Sequence, residues 1–184
     1  MRVLAPEFHV PGDVLELAGR IRLIVFDVDG VLTDGSLYLG DDGQEYKSFH
    51  SRDGHGMKML MGQGVDVAII TGRTSRVVEQ RAADLGISRV FQGAGEKLPV
   101  FRDLLDDAGL DASQAAYVGD DVVDLPIMLH CGLSIAVADA HPLVRRHAHW
   151  VTPSGGGRGA AREICDMLLF AQQRLDAAVQ PYFG

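Results

Sequence analysis

Cysteine and lysine are scarce in this sequence, and it contains no long apolar run. Two cysteines, Cys131 and Cys165, lie 34 positions apart with no CxxC pair. That spacing excludes a disulfide framework and a cysteine-rich zinc site, and their apolar neighbours predict buried free thiols. No hydrophobic stretch approaches the ~18 residues of a membrane span. The opening MRVLAPEFHVPGD is broken by Pro6, Glu7, His9 and Pro11, which leaves no signal-peptide core. The expectation is a soluble cytoplasmic protein with no membrane partner. Positive charge is also short: 17 cations face 25 acids, a formal charge of −8. A general nucleic-acid binder needs a basic face to neutralise phosphates, so no nucleic-acid partner is expected. Only three of the cations are lysines, Lys47, Lys58 and Lys97, so the placement of each carries information.

What remains is an ordinary globular composition, 47% hydrophobic and 23% charged, in 184 residues. That length predicts one domain over 1–184 with a core large enough to need no staples. Near-continuous apolar runs at Arg22–Phe26, Val65–Ile70, Ala115–Val118 and Ser134–Ala138 suit strands buried on both faces of a parallel sheet. Helical patterns fall between them, at about 55–62, 74–85, 97–108 and 122–130, with a C-terminal one at about 159–178 and a short one over Asp13–Arg20. Such alternation predicts an α/β fold of three layers, a mostly parallel central sheet with helices on both sides. One segment departs from it. Residues 36–49 read as two short strands around Asp41-Asp42-Gly43, a β-hairpin too small to be a cap domain. The patch Gly155-Gly156-Gly157 precedes the last helix and by itself reads as a flexible linker.

Ligands of open α/β sheets sit beyond the carboxyl ends of the strands. There the sequence places Asp27-Val28-Asp29-Gly30, Thr71-Gly72-Arg73 and Gly119-Asp120-Asp121 with Asp124, while Lys97 opens a nearby helix. Packed carboxylates repel and raise each other's pKa values unless a hard cation joins them, and Mg²⁺ takes oxygen ligands together with a substrate phosphate. Helix capping alone does not explain a DxD pair that ends a buried apolar strand. A carboxylate can attack phosphorus to form an aspartyl-phosphate, with Mg²⁺ and Lys97 neutralising the phosphoryl oxygens. Asp29 is then placed to protonate the leaving oxygen and later to activate water.

The ordered set Asp27-x-Asp29-Gly-Val, Thr71, Lys97 and Gly119-Asp120-Asp121-x-x-Asp124 resembles the haloacid dehalogenase superfamily of phosphotransferases. The resemblance implies an Asp27 nucleophile, an Asp29 acid/base, and Thr71 and Lys97 on the phosphoryl group. It also implies Mg²⁺ on the Asp27 and Asp120 carboxylates and the Asp29 main-chain carbonyl, with Asp121 and Asp124 behind them. Within the superfamily, DVDGVLTDG (27–35), RDGHG (52–56), ITGR (70–73), YVGDD (117–121), VADAHP (137–142) and GGRGAARE (156–163) are similar to the 3-deoxy-D-manno-octulosonate 8-phosphate phosphatase family. That likeness runs from about residue 14 to 178, with Ala161 where the family commonly carries Val. It implies a cap-less Rossmann-like fold, and a homotetramer in which hairpins pack centrally and each active site is roofed by a neighbouring subunit. The substrate would be a phosphorylated sugar acid whose release feeds lipopolysaccharide synthesis. Its contacts would come from Asp29 and Lys97, from His50, Ser51, Arg52, Asp53 and Gly54 at the hairpin's end, and from Lys58, Arg73 and Arg81. Surface histidine and solvated helix face are the plain alternatives for His50, Lys58 and Arg81. Arg73 and Arg81, eight apart, would share one helix face. A nine-carbon sugar acid phosphate is the rival substrate. The rival functions are a receiver domain, disfavoured by the DxD pair, and a non-catalytic assembly module on the same scaffold.

Overall fold

The computed structural model describes residues 5–183. Its six-stranded sheet is parallel throughout and is built around β1 (Leu23–Phe26), where all four residues are buried. β4 (Asp66–Ile70) pairs with one edge of β1 and β6 (Ala115–Gly119) with the other, so that Leu23 faces both Asp66 and Ala115. Outward from these lie β5 (Arg89–Phe91) on one side, then β7 (Leu133–Ala136) and β8 (Trp150–Val151) on the other, in the order β5-β4-β1-β6-β7-β8. The chain moves from β1 one way to β4 and β5 and then returns across to β6. This switch opens a crevice at the carboxyl ends of β1 and β6.

Right-handed crossovers set the helix layers. On one face lie α1 (Gly12–Ala18), α2 (Ser51–Gly62), α3 (Arg76–Leu85) and α7 (Ala160–Ala171), with α2 and α7 the most closely packed pair of elements. On the other face lie α4 (Lys97–Ala108), α5 (Leu125–Met128) and α6 (Pro142–His147). Gly56 allows the α2–α7 approach, because a Cβ there would lie 2.8 Å from Arg162 Cδ. The hairpin forms as expected from β2 (Tyr38–Leu39) and β3 (Glu45–Tyr46), with Gly43 in the left-handed region at its turn. Tyr38 and Tyr46 face each other across it on one face, Leu39 is opposite Glu45 on the other, and Leu37, Tyr38, Leu39 and Tyr46 are all exposed. Among the described residues no helix is long and apolar enough to cross a membrane.

Several expectations need correction. β5, β8 and α6 carry no apolar run long enough to announce them; each is short and lies at or near the sheet edge. The helix expected at 122–130 is a 3₁₀ turn, Val122–Asp124, followed by α5, because Pro126 lacks the N–H that a longer helix would use. The C-terminal helix breaks at Gln173, whose φ is +56°, and resumes as α8 (Leu175–Val179). Arg73 lies outside any helix, three residues before α3, so it does not share a helical face with Arg81. The glycine patch is no flexible linker. Gly157 N–H donates to the Val31 carbonyl at 2.9 Å, and a Cβ on Gly156 would lie 1.8 Å from Gly30 O.

Candidate active site

The site is assembled from three strand ends. Asp27 follows β1, with its N–H bonded to the Val118 carbonyl. The chain then turns through a loop pinned by Thr33, whose Oγ1 accepts from the Gly35 N–H at 3.2 Å. Gly30 sits at φ +91°, and a Cβ there would fall 2.1 Å from Asp120 Oδ2. A side chain at 30 would therefore both strain the loop and displace the Asp120 carboxylate. Gly119 does the same for Asp124, whose Cβ lies 2.5 Å from where a side chain would begin.

Ligand atoms of Asp27, Asp120 and Asp124 lie within 4.8 Å of one another. Lys97 answers them with one ammonium, 3.0 Å from Asp27 and 2.7 Å from Asp124. Two of the three carboxylates thus pair with one buried cation, and Asp120 has no ion pair with it. Burial first, then the Asp124 charge, raises the Asp27 pKa to about 6. Burial, Asp124 and Asp27 raise that of Asp120 to about 8. Lys97 is pushed up, because attraction from Asp27 and Asp124 outweighs its desolvation.

The three carboxylates are not equivalent. Asp124, with no exposed surface, has both oxygens engaged. Oδ1 accepts from Lys97 Nζ and from the Tyr117 hydroxyl, each at 2.7 Å. Oδ2 accepts from the N–H groups of Asp120 at 2.9 Å and Asp121 at 3.2 Å. Four donors leave it no lone pair to offer, so it orients Lys97 and the Asp120 loop rather than binding a cation. Asp27 and Asp120 retain oxygens facing the cleft, and a hard divalent cation fits that donor set and its unbalanced charge. Asp121 caps the 3₁₀ turn through the Val122 N–H at 2.7 Å.

The cleft, about 260 Å³, is lined by Asp27, Asp29, Thr71, Arg73, Lys97 and Asp120 together with Asp121 and Val123. Asp29 does not face it unattended. Lys47 Nζ, on a side chain only 1% exposed, lies 2.5 Å from Asp29 Oδ1, and Arg73 Nε lies 3.6 Å from Oδ2. Glu45 joins the two cations, 3.3 Å from Lys47 and 3.1 Å from Arg73. Lys47 and Tyr117 are the members that sequence reasoning did not assign. The scarcity of lysine was the one signal that pointed to Lys47.

Residues 90–164 match the family model described as haloacid dehalogenase-like hydrolase. The chain is 51% identical over 169 residues to 3-deoxy-D-manno-octulosonate 8-phosphate phosphatase of Escherichia coli K12, covering 92% of this chain and 90% of that one. This chain belongs to the 3-deoxy-D-manno-octulosonate 8-phosphate phosphatase family. The crystal structure of the Yersinia pestis phosphatase superposes with a TM-score of 0.90 at 49% identity, covering 91% of this chain and 90% of that one. That of the Moraxella catarrhalis phosphatase, in complex with magnesium ion, phosphate ion and KDO, gives 0.91 at 38% identity, covering 92% and 98%. The three-layer architecture without a cap domain is therefore the fold of this phosphatase family.

The remaining residues named for the family's substrate lie away from the cleft of their own chain. His50 occupies the position before α2 without a side-chain capping bond, and its Nδ1 has no hydrogen-bond partner among the described residues. Ser51, Arg52 and Lys58 are exposed on α2. Asp53 points into the helix layer, where Oδ1 accepts the Arg162 N–H at 2.9 Å and so caps α7 from a neighbouring helix. Burial raises its pKa, partly offset by that bond. Gly54 makes room for Arg81, whose guanidinium would lie 2.3 Å from a Cβ and which also stacks over Phe49 at 5.8 Å. Asp53 and Gly54 thus have structural work within this chain. Arg52 instead opens onto a separate groove shared with Arg158 and Arg162 of the tail.

Proposed function

We propose that the whole chain acts as one phosphatase domain that hydrolyses 3-deoxy-D-manno-octulosonate 8-phosphate to the free sugar acid and phosphate. The observation that carries this is the Asp27–Lys97–Asp124 array, two carboxylates on one ammonium with the Asp120 carboxylate beside them at the sheet's switch point. An Asp27 oxygen attacks phosphorus, the bond from phosphorus to the sugar oxygen breaks, and Asp29 gives that oxygen its proton. Asp29 then takes a proton from water, which attacks the aspartyl-phosphate and returns Asp27 with release of phosphate. Lys97 and Thr71 hold phosphoryl oxygens, and Asp124 with Tyr117 holds Lys97. Arg73 stands at the mouth, 46% exposed on its side chain, with one arm of its guanidinium bonded to Glu45 and its Nε toward Asp29. Mg²⁺ is the cofactor: Asp27, Asp120 and the Asp29 main-chain carbonyl would hold it, and when bound it screens the negative phosphoryl oxygens from the attacking carboxylate.

The cleft of one chain carries the groups that suit a phosphate, while Arg52 and Lys58 lie exposed away from it. This supports a homotetramer in which a neighbour's Arg52, Lys58 and Arg81 complete the site, with the exposed apolar residues of the hairpin as the contact. The product would enter lipopolysaccharide precursor synthesis in the cytoplasm. Phosphate release tests the reading, on the eight-carbon 8-phosphate against a nine-carbon 9-phosphate, with Mg²⁺ and with chelator. Strong, chelator-sensitive preference for the eight-carbon ester is expected, from a species of four-subunit mass by light scattering. Preference for the nine-carbon ester would overturn the substrate, and no hydrolysis of either would revive the assembly-module reading.

Acidity supplies a second test. Folded Asp27 and Asp120 hold protons to about 6 and about 8, whereas an unfolded aspartate loses its own near ~4. Between those limits the folded chain binds more protons than the unfolded one, so this contribution to stability falls as pH rises. Mg²⁺ competes with the same protons. In melting experiments, the gain from Mg²⁺ over chelator is expected to be larger at about pH 8.5 than at about pH 5.5. Equal gains would place the metal on other groups.

A further inference from the structure

The hairpin has two faces with different work. Glu45 and Lys47 are two apart and point inward, while Tyr46 between them points out and is 61% exposed. The inward pair reaches Asp29. One Asp29 oxygen meets Lys47 at 2.5 Å, the other faces Arg73 Nε at 3.6 Å, and Glu45 Oε1 ties the two cations together. Lys47 touches neither the Asp27 cluster nor the open part of the cleft, whose lining does not include it. A lysine this buried, with two carboxylates as its partners, is not a solvated surface cation. Asp29 therefore has no free choice of rotamer. Its direction depends on where the hairpin holds Lys47, although the nucleophile's strand and the hairpin pair in different sheets.

We infer that Lys47 is a positioning residue for the acid/base step: through Lys47, with Glu45 as its anchor, the hairpin sets the orientation of the Asp29 carboxylate toward the leaving oxygen. This rests on the acid/base role proposed above for Asp29. The hairpin is thereby part of the chemistry as well as of any contact between subunits. An alkyl leaving group needs a proton in the first step, and a nitrophenolate does not, so the two esters separate orientation of Asp29 from general damage.

The test uses the full chain with Mg²⁺. In Lys47→Met, turnover of the sugar acid 8-phosphate is expected to fall by about 10- to 100-fold, with KM little changed. Single-turnover release of p-nitrophenolate from p-nitrophenyl phosphate should stay within about two-fold of the parent. Lys47→Arg, which keeps the charge, should recover most of the alkyl-ester turnover. Glu45→Gln, which leaves the hairpin's size unchanged, should show the same ester-selective pattern at smaller amplitude. Added to Asp29→Asn, Lys47→Met should cost nothing further. Equal losses on both esters, or undiminished turnover of the alkyl ester, would overturn the inference. The control Asp29→Asn separates the two readings. If it abolishes alkyl-ester turnover while Lys47→Met is neutral, only the positioning role fails. If it leaves turnover intact, the acid/base reading itself fails.

Discussion

Asp27→Asn is expected to lower phosphate release by at least about 10⁴-fold while leaving the protein folded. The amide has the carboxylate's shape but lacks the charge and nucleophilicity that the attack on phosphorus requires. Retention of the fold follows from the electrostatics. Asp27 is a desolvated carboxylate repelled by Asp124, and its pKa of about 6 shows that the folded chain tolerates its charge with difficulty. Neutralising it removes that strain, and Lys97 keeps Asp124 at 2.7 Å. In chelator the melting temperature of the variant should therefore equal or exceed that of the parent, with the difference growing as pH rises through the Asp27 pKa. Residual activity above about one per cent, measured on protein freed of parental enzyme, would point to another nucleophile.

Asp124→Ala is expected to act on stability and turnover together. It strips Lys97 of one of its two carboxylate partners and leaves the Tyr117 hydroxyl and two loop N–H groups without their acceptor. Breaking a buried charge pair from one side costs about 3–5 kcal/mol, which denaturant unfolding reads directly. Turnover should fall about 100-fold, because Lys97 and the Asp120 loop lose the group that aims them. The loss should appear in kcat more than in KM. A stability change under about 1 kcal/mol would mean that water replaces the carboxylate.

The central strands were legible because burial on both faces writes itself as an apolar run, as in Leu23–Phe26 and Ala115–Gly119. Edge elements leave no such mark. β8 is two residues long, and α6 buries only Val144 of its six. The three carboxylate positions and Lys97 were also legible, since each follows a strand or starts a helix at one edge of the sheet. The resemblance makes Asp124 an orienter of Lys97 or of the metal's waters, and its oxygens accept from Lys97, Tyr117 and two loop N–H groups. Tyr117 was hidden by its neighbours: inside an apolar strand its ring reads as core, and only its hydroxyl, bonded to Asp124, belongs to the site. Lys47 was hidden by distance, because nothing in the order of residues shows that a hairpin strand folds back onto Asp29, 18 positions earlier. In RDGHG, the spacing that resembles a substrate loop is also the spacing that fits two helices together through Asp53, Gly54 and Gly56.

The seating of Gly156 and Gly157 against Gly30 and Val31 orders events on the ribosome. The strand that ends at Asp27 is the first of all the strands to be synthesised, but the loop that follows it, turned locally on Thr33, gains its cover only when glycines from much later in the sequence lie down on it. A nascent chain that has already paired β1 with β4 and β6 still lacks this brace. The brace therefore forms late in translation, together with the docking of α7, whose buried residues follow it in the sequence. Partial chains that end before Gly156 would carry every acidic residue of the site without this brace.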